Sequence, residues 1–230
     1  MREILKHEAP LPLSEGQIET FCRFGEALLE QNKVMNLTAI TEPGAVARLH
    51  FVDCMALLPL ADLRSRTVID VGCGAGFPGV PLKIAEPSIR LTLLDSLGKR
   101  MRWLETVLPE LGVDAEVVTG RAEEYVAGCR EQYDAAVSRA VARLNVLAEL
   151  CLPYVKVGGR FVSYKSGKLN EELAAAQKAI HVLGGEAKEP VYFQLTGTED
   201  ERSFVCIEKG KATPKKYPRK AGTPAKEPIQ

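Results

Sequence analysis

The stretch Val68–Glu86, VIDVGCGAGFPGVPLKIAE, decides the fold of this chain. Its first four residues predict a short buried strand, and Pro78 suits the first turn of the helix that follows. Between the two lie Gly72, Gly74 and Gly76, where a backbone without side chains can approach a ligand closely. The sequence therefore predicts a strand, a glycine-rich bend and a helix, and it raises the question of what the bend holds.

On the C-terminal side of this bend, short apolar runs alternate with amphipathic segments. The apolar runs are LTLLD, AEVVT, YDAAVSR and GRFVSYK, and each precedes a segment with helical periodicity. Repeated strand–helix units of this kind predict an α/β fold, a mostly parallel sheet covered by helices on both faces. The last two apolar runs, EPVYFQL and RSFVCIEK, are joined by TGTEDE and predict an antiparallel C-terminal hairpin.

On the N-terminal side of the bend the pattern is helical. Ser14 and Gln17 form a capping-box signature at the start of an amphipathic segment that runs to residue 31. A second helical region covers about residues 43–60. We therefore expect a helical subdomain over residues 1–64, the α/β domain over 65–208 and a separate tail over 209–230.

Length and composition fit one large folded domain, or one domain with a small addition: 230 residues, 46% apolar and 26% charged. No apolar run approaches the ~20 residues that cross a bilayer, and the N-terminus lacks the apolar core of a secretory signal. Six cysteines are scattered without a CxxC pair, which predicts buried thiols and no zinc site. These features predict a cytoplasmic protein that binds neither a membrane nor a metal.

The neutral net charge conceals an uneven distribution. Seven basic residues and no acidic one lie between Lys209 and Lys226, so the rest of the chain carries a net −7. Cations interleaved with a tyrosine suit a phosphate backbone and a stacked base, and prolines prevent a regular helix. The residues predicted to bind RNA in this tail are Lys215, Lys216, Tyr217, Arg219 and Lys220.

Several interpretations compete for the glycine bend. A P-loop is excluded because neither the lysine nor the hydroxyl residue of that motif follows Gly76. A dinucleotide loop is disfavoured but stays open, because Phe77 is too bulky for the close approach of helix and strand. S-adenosyl-L-methionine has no diphosphate, and its zwitterionic end suits backbone N–H groups and the Asp70 carboxylate. Asp95 closes the next predicted strand and would grip ribose hydroxyls; a turn without a ligand is the remaining alternative.

Several motifs occur together and in order: NLTAI, RLHFVDC, DVGCGAGFPG, LLDSLGKR, GRAEE, SRAVA and TPKKYPRKAGTPAK. As a set they resemble the bacterial glucose-inhibited division protein B family, over about Asn36 to Lys226. The resemblance implies a class I methyltransferase fold, Rossmann-like with a mostly parallel seven-stranded sheet, and S-adenosyl-L-methionine as methyl donor. It also implies the acceptor, N7 of the guanine at position 527 in the 530 loop of 16S rRNA, as RNA or within the small ribosomal subunit.

The same resemblance implies roles for individual residues. By position, Gly72 and Phe77 would contact the donor, Asp95 and Ser96 its ribose, Ala122 and Glu123 its adenine, and Arg139 both the methionyl end and the acceptor.

The chemistry of guanine N7 fits a site without a general base. N7 carries an in-plane lone pair and no proton at neutral pH, so it can attack a sulfonium methyl directly and catalysis rests on alignment. Arg139 and Lys165 both follow predicted strands and should lie at the ligand-binding edge of the sheet. We expect both to position the acceptor; for Lys165, a solvated strand end is an equal alternative.

The motif RLHFVDC carries Arg48, His50 and Asp53. On a helix, His50 and Asp53 share a face, but one histidine and one carboxylate are too few for a metal. Two interpretations remain. Either Arg48 and His50 contact the RNA, or His50 and Asp53 form a hydrogen-bonded packing pair.

Other functions stay open at the level of the sequence. A nicotinamide oxidoreductase would use the same bend, a non-catalytic RNA-binding protein would keep the basic tail, and a small-molecule methyltransferase would not need the clustered cations. Naked RNA and an assembled particle are both compatible substrates. We expect a monomer, because the RNA is the large partner.

Overall fold

The computed structural model describes residues 1–139, 141–167 and 169–230. Within these residues the helices are α1 (Arg2–Glu8), α2 (Glu15–Met35), α3 (Pro43–Val46), α4 (Asp53–Met55), α5 (Gly79–Ala85), α6 (Gly98–Glu110), α7 (Ala122–Cys129), α8 (Leu144–Cys151), α9 (Asn170–Val182) and α10 (Thr223–Lys226). The strands are β1 (Thr67–Val71), β2 (Arg90–Asp95), β3 (Glu116–Thr119), β4 (Tyr133–Arg139), β5 (Val155–Ser166), β6 (Gly185–Ala187), β7 (Val191–Gln194) and β8 (Glu201–Lys209). A π-helical segment, Ala47–Val52, joins α3 to α4, so the helical region predicted from Pro43 is nearly continuous to Met55.

The strands form one sheet in the order β3–β2–β1–β4–β5–β8–β6, and β7 also pairs with β8. The strands β1 to β5 pair in parallel, and β8 runs antiparallel to β5. The chain changes direction across the sheet at β1, which lies between β2 and β4. In such sheets ligands bind at the carboxyl ends of the strands beside this switch point. The predicted parallel sheet with an antiparallel C-terminal pair is confirmed.

The edge of the sheet is one strand in two pieces. β6 pairs with residues 207–209 of β8 and β7 pairs with residues 201–204, while β5 occupies the other edge of β8. Pro190 lies in the gap between the two pieces, where it has no N–H to give to a ladder. The eight strands of the described residues therefore fill seven positions, which is the number that the family resemblance implies.

Apolar side chains cover both faces of the sheet. Helices α1 to α6 share one core, and α7 to α9 share the other. Phe21, Phe24 and Phe51, from the N-terminal helices, lie in the same core as Val80 of α5 and Met101 of α6. Residues 1–64 therefore pack as a layer on the sheet domain and share its core.

The start of α2 shows how this layer is attached. Ser14 Oγ accepts from the Gln17 N–H at 3.2 Å, and Gln17 Oε1 accepts from the Ser14 N–H at 2.9 Å, so the predicted capping box is present. Gln17 Nε2 also donates to the carbonyl oxygens of Ile84 (3.0 Å) and Ala85 (2.8 Å) at the end of α5. The cap thereby fixes α2 against the helix that follows the glycine bend. Among the helices of the described residues, none combines the length and the apolarity needed to cross a bilayer.

Candidate active site

Two cavities open at the carboxyl ends of the central strands. The first, the glycine-loop cavity, has a volume of about 240 Å³ and lies between the ends of β1 and β2, the turn before α7, the side of α8 and the C-terminal tail. Five of the residues predicted to hold a methyl donor line it together: Gly72, Asp95, Ser96, Ala122 and Glu123. The structure thus brings to one place residues that are spread over three strand–helix units.

The glycine bend owes its shape to positive φ angles. Gly72, Gly74 and Gly76 have φ of +75°, +58° and +94°, a region that side chains disfavour. At Gly72 a Cβ would also lie 2.5 Å from a methyl group of Val141, which lines the same cavity. The missing side chain keeps the floor of the glycine-loop cavity open.

Asp95 ties the bend to the next loop. Its Oδ2 accepts from the Gly74 N–H at 3.0 Å, and its Oδ1 accepts from the Leu97 N–H at 2.8 Å. Because a carboxylate offers about four acceptor sites, Asp95 can accept further hydrogen bonds in the cavity that it lines. The residue predicted to hold the ribose also holds the loop in place.

Asp70 lies beneath the bend and is fully buried. Its Oδ2 accepts from the Gly79 N–H at 2.7 Å, whereas its Oδ1 has no hydrogen-bond partner among the described residues. Burial raises the pKa of this carboxyl to about 7, against the opposing effect of the Gly79 hydrogen bond. An unpartnered buried oxygen is costly, so Asp70 is poised to accept one further donor.

The ring of Phe77 lies in the aromatic core behind the bend, and the contact of this residue with the donor stays a prediction. It is 7% exposed, and its ring stacks on that of His50 at 4.5 Å between centroids. The Arg139 guanidinium lies over the same ring at 5.1 Å, a favourable cation–π position. A large apolar ring is stabilised by packing with Phe24 and Phe51, which accounts for its position in this core.

The second, the arginine cavity, has a volume of about 410 Å³. It lies between the helical segment around residue 50, the carboxyl ends of β4 and β5, and the hairpin β7–β8. Its charged and aromatic lining residues are His50, Asp53, Arg139, Lys165, Arg202, Tyr164, Phe193 and Phe204. Cations over an aromatic floor suit an electron-rich flat group that carries phosphate.

Arg139, the last residue of β4, is held from several directions. Its Nη1 donates to Asp53 Oδ2 at 2.8 Å and to the Leu49 carbonyl at 3.1 Å, and its Nη2 lies 3.0 Å from His50 Nδ1. The side chain of Arg139 is 15% exposed. A guanidinium with this many contacts has one orientation, so the site presents a fixed positive charge.

These contacts also fix the tautomer of His50. Arginine has only donors, so His50 Nδ1 must accept, and its proton lies on Nε2, which faces Thr38 Oγ1 at 2.8 Å. Burial, and then the charge of Arg139, lower the pKa of His50 from 6.5 to about 3. His50 and Asp53 do not form the pair that one interpretation of the sequence suggested, because each of them contacts Arg139 instead. Both residues line the arginine cavity, so an RNA contact of His50 stays a prediction.

The pKa of His50 predicts a pH dependence of stability. The unfolded chain takes up this proton near pH 6.5 and the folded chain only near pH 3, so the stabilisation is complete above about pH 6.5 and falls as the pH drops below it. We expect His50→Asn to flatten the fall in Tm between about pH 7 and pH 5. The exposed His181→Asn should keep the wild-type curve, and parallel curves for all three proteins would contradict the prediction.

Arg202 is a site residue that the sequence analysis missed. Its Nε donates to Asp53 Oδ1 at 3.1 Å, so the Asp53 carboxylate, 4% exposed, binds two arginines. Arg202 enters the cavity because β8 pairs with β5 in a register that sets it opposite Ser166. The sequence contained a signal for this position. Pairing the predicted strand RSFVCIEK with the predicted strand GRFVSYK would have placed Arg202 at the cavity.

Lys165 lines the arginine cavity, as its position after a strand predicts. Its Nζ donates to Glu172 Oε1 at 2.6 Å and to the Ala142 carbonyl at 2.9 Å. Glu172 Oε1 also accepts from the Leu144 N–H at 2.6 Å. Lys165 therefore joins β5 to the start of α8 and α9, and it is not a solvated strand end.

Arg48, predicted to bind RNA, is already paired. Its Nε and Nη2 both donate to the carboxylate of Glu8 at 2.7 Å. A bidentate pair of this kind fills the fork of the guanidinium. This pairing depends on the N-terminal helix α1, which brings Glu8 beside the motif and which the sequence pattern did not reveal. The RNA contact of Arg48 stays a prediction.

The C-terminal tail is anchored to the domain along its length. Arg130 donates to the carbonyl oxygens of Thr213 (2.9 Å), Pro214 (3.1 Å) and Tyr217 (2.8 Å). Further along, the Gly222 N–H donates to Glu123 Oε1 at 2.8 Å. The tail predicted as a separate segment is thus packed against α7 and α8.

The cations of the tail divide into two kinds. Lys209 is still part of β8 and is buried, and its Nζ donates to the Leu152 carbonyl at 2.6 Å. Arg219 binds the buried Glu149 through its guanidinium, so it is not free to bind a phosphate in this arrangement. The exposed cations are Lys211, Lys215, Lys216, Lys220 and Lys226. Tyr217 is half-buried, with Lys216 Nζ 5.2 Å from its ring centroid.

The described residues hold no cluster of three or more His, Cys, Asp and Glu side chains suited to a metal. Every cysteine is a free thiol, four of them buried.

This sheet, with a glycine bend and acidic strand ends at its switch point, defines a class I methyltransferase. Solved structures share the fold: a predicted O-methyltransferase from Agrobacterium tumefaciens has a TM-score of 0.55 at 18% identity, covering 66% of this chain and 77% of that one. A precorrin-6y C5,15-methyltransferase from Geobacter metallireducens has a TM-score of 0.53 at 14% identity, covering 77% of this chain and 92% of that one.

Sequence comparisons identify one family within this fold class. A family model described as GidB, rRNA small subunit methyltransferase G, matches residues 17–203. Proteins named ribosomal RNA small subunit methyltransferase G match over nearly the whole chain: one from Alkaliphilus metalliredigens is 50% identical over 95% of this chain and 93% of its own, and one from Alkaliphilus oremlandii is 49% identical over 100% and 99%. The chain belongs to the rRNA small subunit methyltransferase G family, which confirms the resemblance read from the motifs.

Proposed function

We propose that this protein transfers a methyl group from S-adenosyl-L-methionine to N7 of the guanine at position 527, in the 530 loop of 16S rRNA. The observation that carries the proposal is the pair of cavities at the switch point of a chain of this family. Arg139 lines the arginine cavity, and Val141, two residues on, lines the glycine-loop cavity. A donor in one cavity and an acceptor in the other would thus be separated by a single short segment.

The residues of the glycine-loop cavity fit a methyl donor. The Asp95 carboxylate, which lines the cavity, suits ribose hydroxyls. Asp70 does not line the cavity, and its unpartnered oxygen beneath the glycine bend is our candidate for the ammonium group. Ser96 lies beside Asp95, and Ala122 and Glu123 form the far side that would flank the adenine. S-adenosyl-L-methionine supplies an electrophilic methyl group when bound, and these residues hold and orient it.

The arginine cavity fits a guanine nucleotide. A purine ring can stack on an aromatic floor, and the cations above it can hold O6 or a phosphate. Arg139 and Lys165 are positioning residues in this proposal, because N7 attacks with its own lone pair and no side chain needs to remove a proton. The fixed charge of Arg139 also disfavours a misaligned approach, since a guanidinium held by Asp53 and His50 cannot follow the substrate.

A direct experiment tests this proposal. The pure protein is incubated with methyl-labelled S-adenosyl-L-methionine and either naked 16S rRNA or small ribosomal subunits, and the label is mapped by nucleotide. We expect label at guanine 527 and none at a transcript in which that base is adenine. RNA binding without label would indicate a non-catalytic binding protein, and labelling at another nucleotide would refute the proposed site.

The exposed tail lysines support an RNA contact and give a second prediction. The triple change of Lys215, Lys216 and Lys220 to glutamine should weaken RNA binding and reduce the slope of log affinity against log salt by about 2, because each lost phosphate contact lowers it by ~0.7. Affinity for adenosylhomocysteine should be unchanged. The matched control changes Lys33, Lys178 and Lys188, which are exposed elsewhere. An unchanged salt slope in the tail variant would remove the tail from the RNA interface.

The remaining expectations follow from the same substrate. We infer that the enzyme acts as a cytoplasmic monomer without a resident metal, since ribosomal RNA is the large partner and a sulfonium methyl needs no Lewis acid. Gel filtration of the pure protein tests the oligomeric state.

A further inference from the structure

One wall of the glycine-loop cavity comes from a part of the chain that was expected to serve only RNA. Gly222, Pro224 and Ala225, which we call the tail wall, line this cavity together with residues from the strand ends and α8. Pro224 is buried, although it lies only six residues from the C-terminus. The segment is therefore packed as part of the cavity.

The tail wall is held by a hydrogen bond to the opposite side of the same cavity. The Gly222 N–H donates to Glu123 Oε1 at 2.8 Å, and Glu123 itself lines the cavity. Gly222 has a φ of +83°, which side chains disfavour, so the chain turns into α10 at this residue. This turn directs Pro224 and Ala225 to the cavity.

A buried ion pair anchors the tail just before this turn. Glu149 of α8 is 1% exposed, and it accepts from the Arg219 backbone N–H at 2.8 Å, from Nε at 2.9 Å and from Nη2 at 2.6 Å. A buried carboxylate deprived of its cation is strongly destabilised. The pair therefore fixes the tail at a point three residues before Gly222, on the helix whose Val146 and Leu150 line the cavity.

We propose that the tail is a donor-binding element, in which the tail wall packs against the adenosine of the methyl donor and Arg219 positions that wall through Glu149. The inference rests on the proposed function, because it concerns the donor of that reaction. The apolar side of the cavity, from Val146, Leu150 and Pro224, suits the flat face of adenine, while Asp95 and Ser96 lie on its polar side. Arg219 acts through other residues and is a positioning residue.

Calorimetry on the full-length protein tests the proposal with two ligands, adenosylhomocysteine and 5′-methylthioadenosine, which share the adenosine and differ at the amino-acid end. We expect Arg219→Gln to weaken both by about tenfold and by the same factor, with Arg219→Lys in between because it restores charge without the bidentate geometry. The matched control Lys211→Gln removes an exposed tail cation and should leave both affinities unchanged. Equal affinities for wild type and Arg219→Gln would overturn the proposal.

A second variant avoids the buried ion pair. Ala225 is exposed at the cavity mouth, so Ala225→Trp should fold normally and should weaken adenosylhomocysteine by about fivefold, because an indole would occupy part of the cavity. An unchanged affinity would overturn the proposal even if Arg219→Gln failed to fold. The ligand affinities of the wild type and the variants distinguish a failure of the proposed function from a failure of the tail-wall proposal. If the protein does not use S-adenosyl-L-methionine, the wild-type protein itself binds neither ligand; if only the tail wall is wrong, the wild type binds and the variants bind equally well.

Discussion

Replacing Arg139 by alanine should lower kcat for methyl transfer by about 100- to 1,000-fold, the range found when one preorganised electrostatic group is removed. Arg139 is the cation that Asp53, His50 and the Leu49 carbonyl together hold at the end of β4. Since the reaction needs no general base, alignment of the purine carries most of the catalysis. Single-turnover rates at saturating donor and RNA measure the loss without a contribution from binding.

Arg139→Lys separates charge from geometry in the same assay. A lysine keeps the positive charge but cannot reach Asp53 and His50 together in a fork, so most of the loss should remain. The control is Arg66→Ala, an exposed residue just before the amino end of β1 that lies 3.6 Å from Asp134 and should leave kcat unchanged. If Arg139→Ala raised only the KM for RNA and left kcat intact, Arg139 would be a binding residue and the alignment argument would fail.

Replacing Asp53 by alanine should lower the free energy of unfolding by about 3–5 kcal/mol, as expected when one partner of a buried ion pair is lost. Asp53 is 4% exposed and is the shared carboxylate of Arg139 and Arg202, so its removal leaves two partly buried guanidinium groups facing each other. Urea unfolding measures the change. Methyl transfer should fall as well, because Arg139 loses its main anchor.

Two variants delimit the Asp53 prediction. Asp53→Asn keeps an acceptor oxygen without the charge and should fall between wild type and Asp53→Ala. Asp62→Ala removes an exposed carboxylate that pairs with the neighbouring Arg64 and should have no measurable effect. If Asp53→Ala were as stable as Asp62→Ala, the two arginines would not depend on the shared carboxylate.

Local patterns in the sequence were sufficient for most of the fold and for one of the cavities. The Ser14 capping box, the glycine bend and the acidic strand ends are encoded within a few residues, so the periodicity and the motifs reveal them. The carboxyl ends of parallel strands meet at one edge. That rule brings Gly72, Asp95 and Glu123 together without any knowledge of side-chain contacts.

The arginine cavity was harder to predict because the partner of each charged side chain depends on the folded structure and not on the neighbouring sequence. Arg48 meets Glu8, Arg219 meets Glu149, and Arg202 meets Asp53, at separations of 40, 70 and 149 residues. A sequence pattern shows that a residue is cationic and where its strand ends, but not which carboxylate will neutralise it. The ion pairs of Arg48 and Arg219 were missed for this reason, since both residues were taken as free charges.

The arginine cavity is assembled from residues between Ile40 and Phe204, most of the length of the chain. Translation delivers these residues in order, and β8 must reach β5 before Arg202 can meet Asp53. The arginine cavity is therefore complete only when β8, the last strand of the described sheet, has paired with β5.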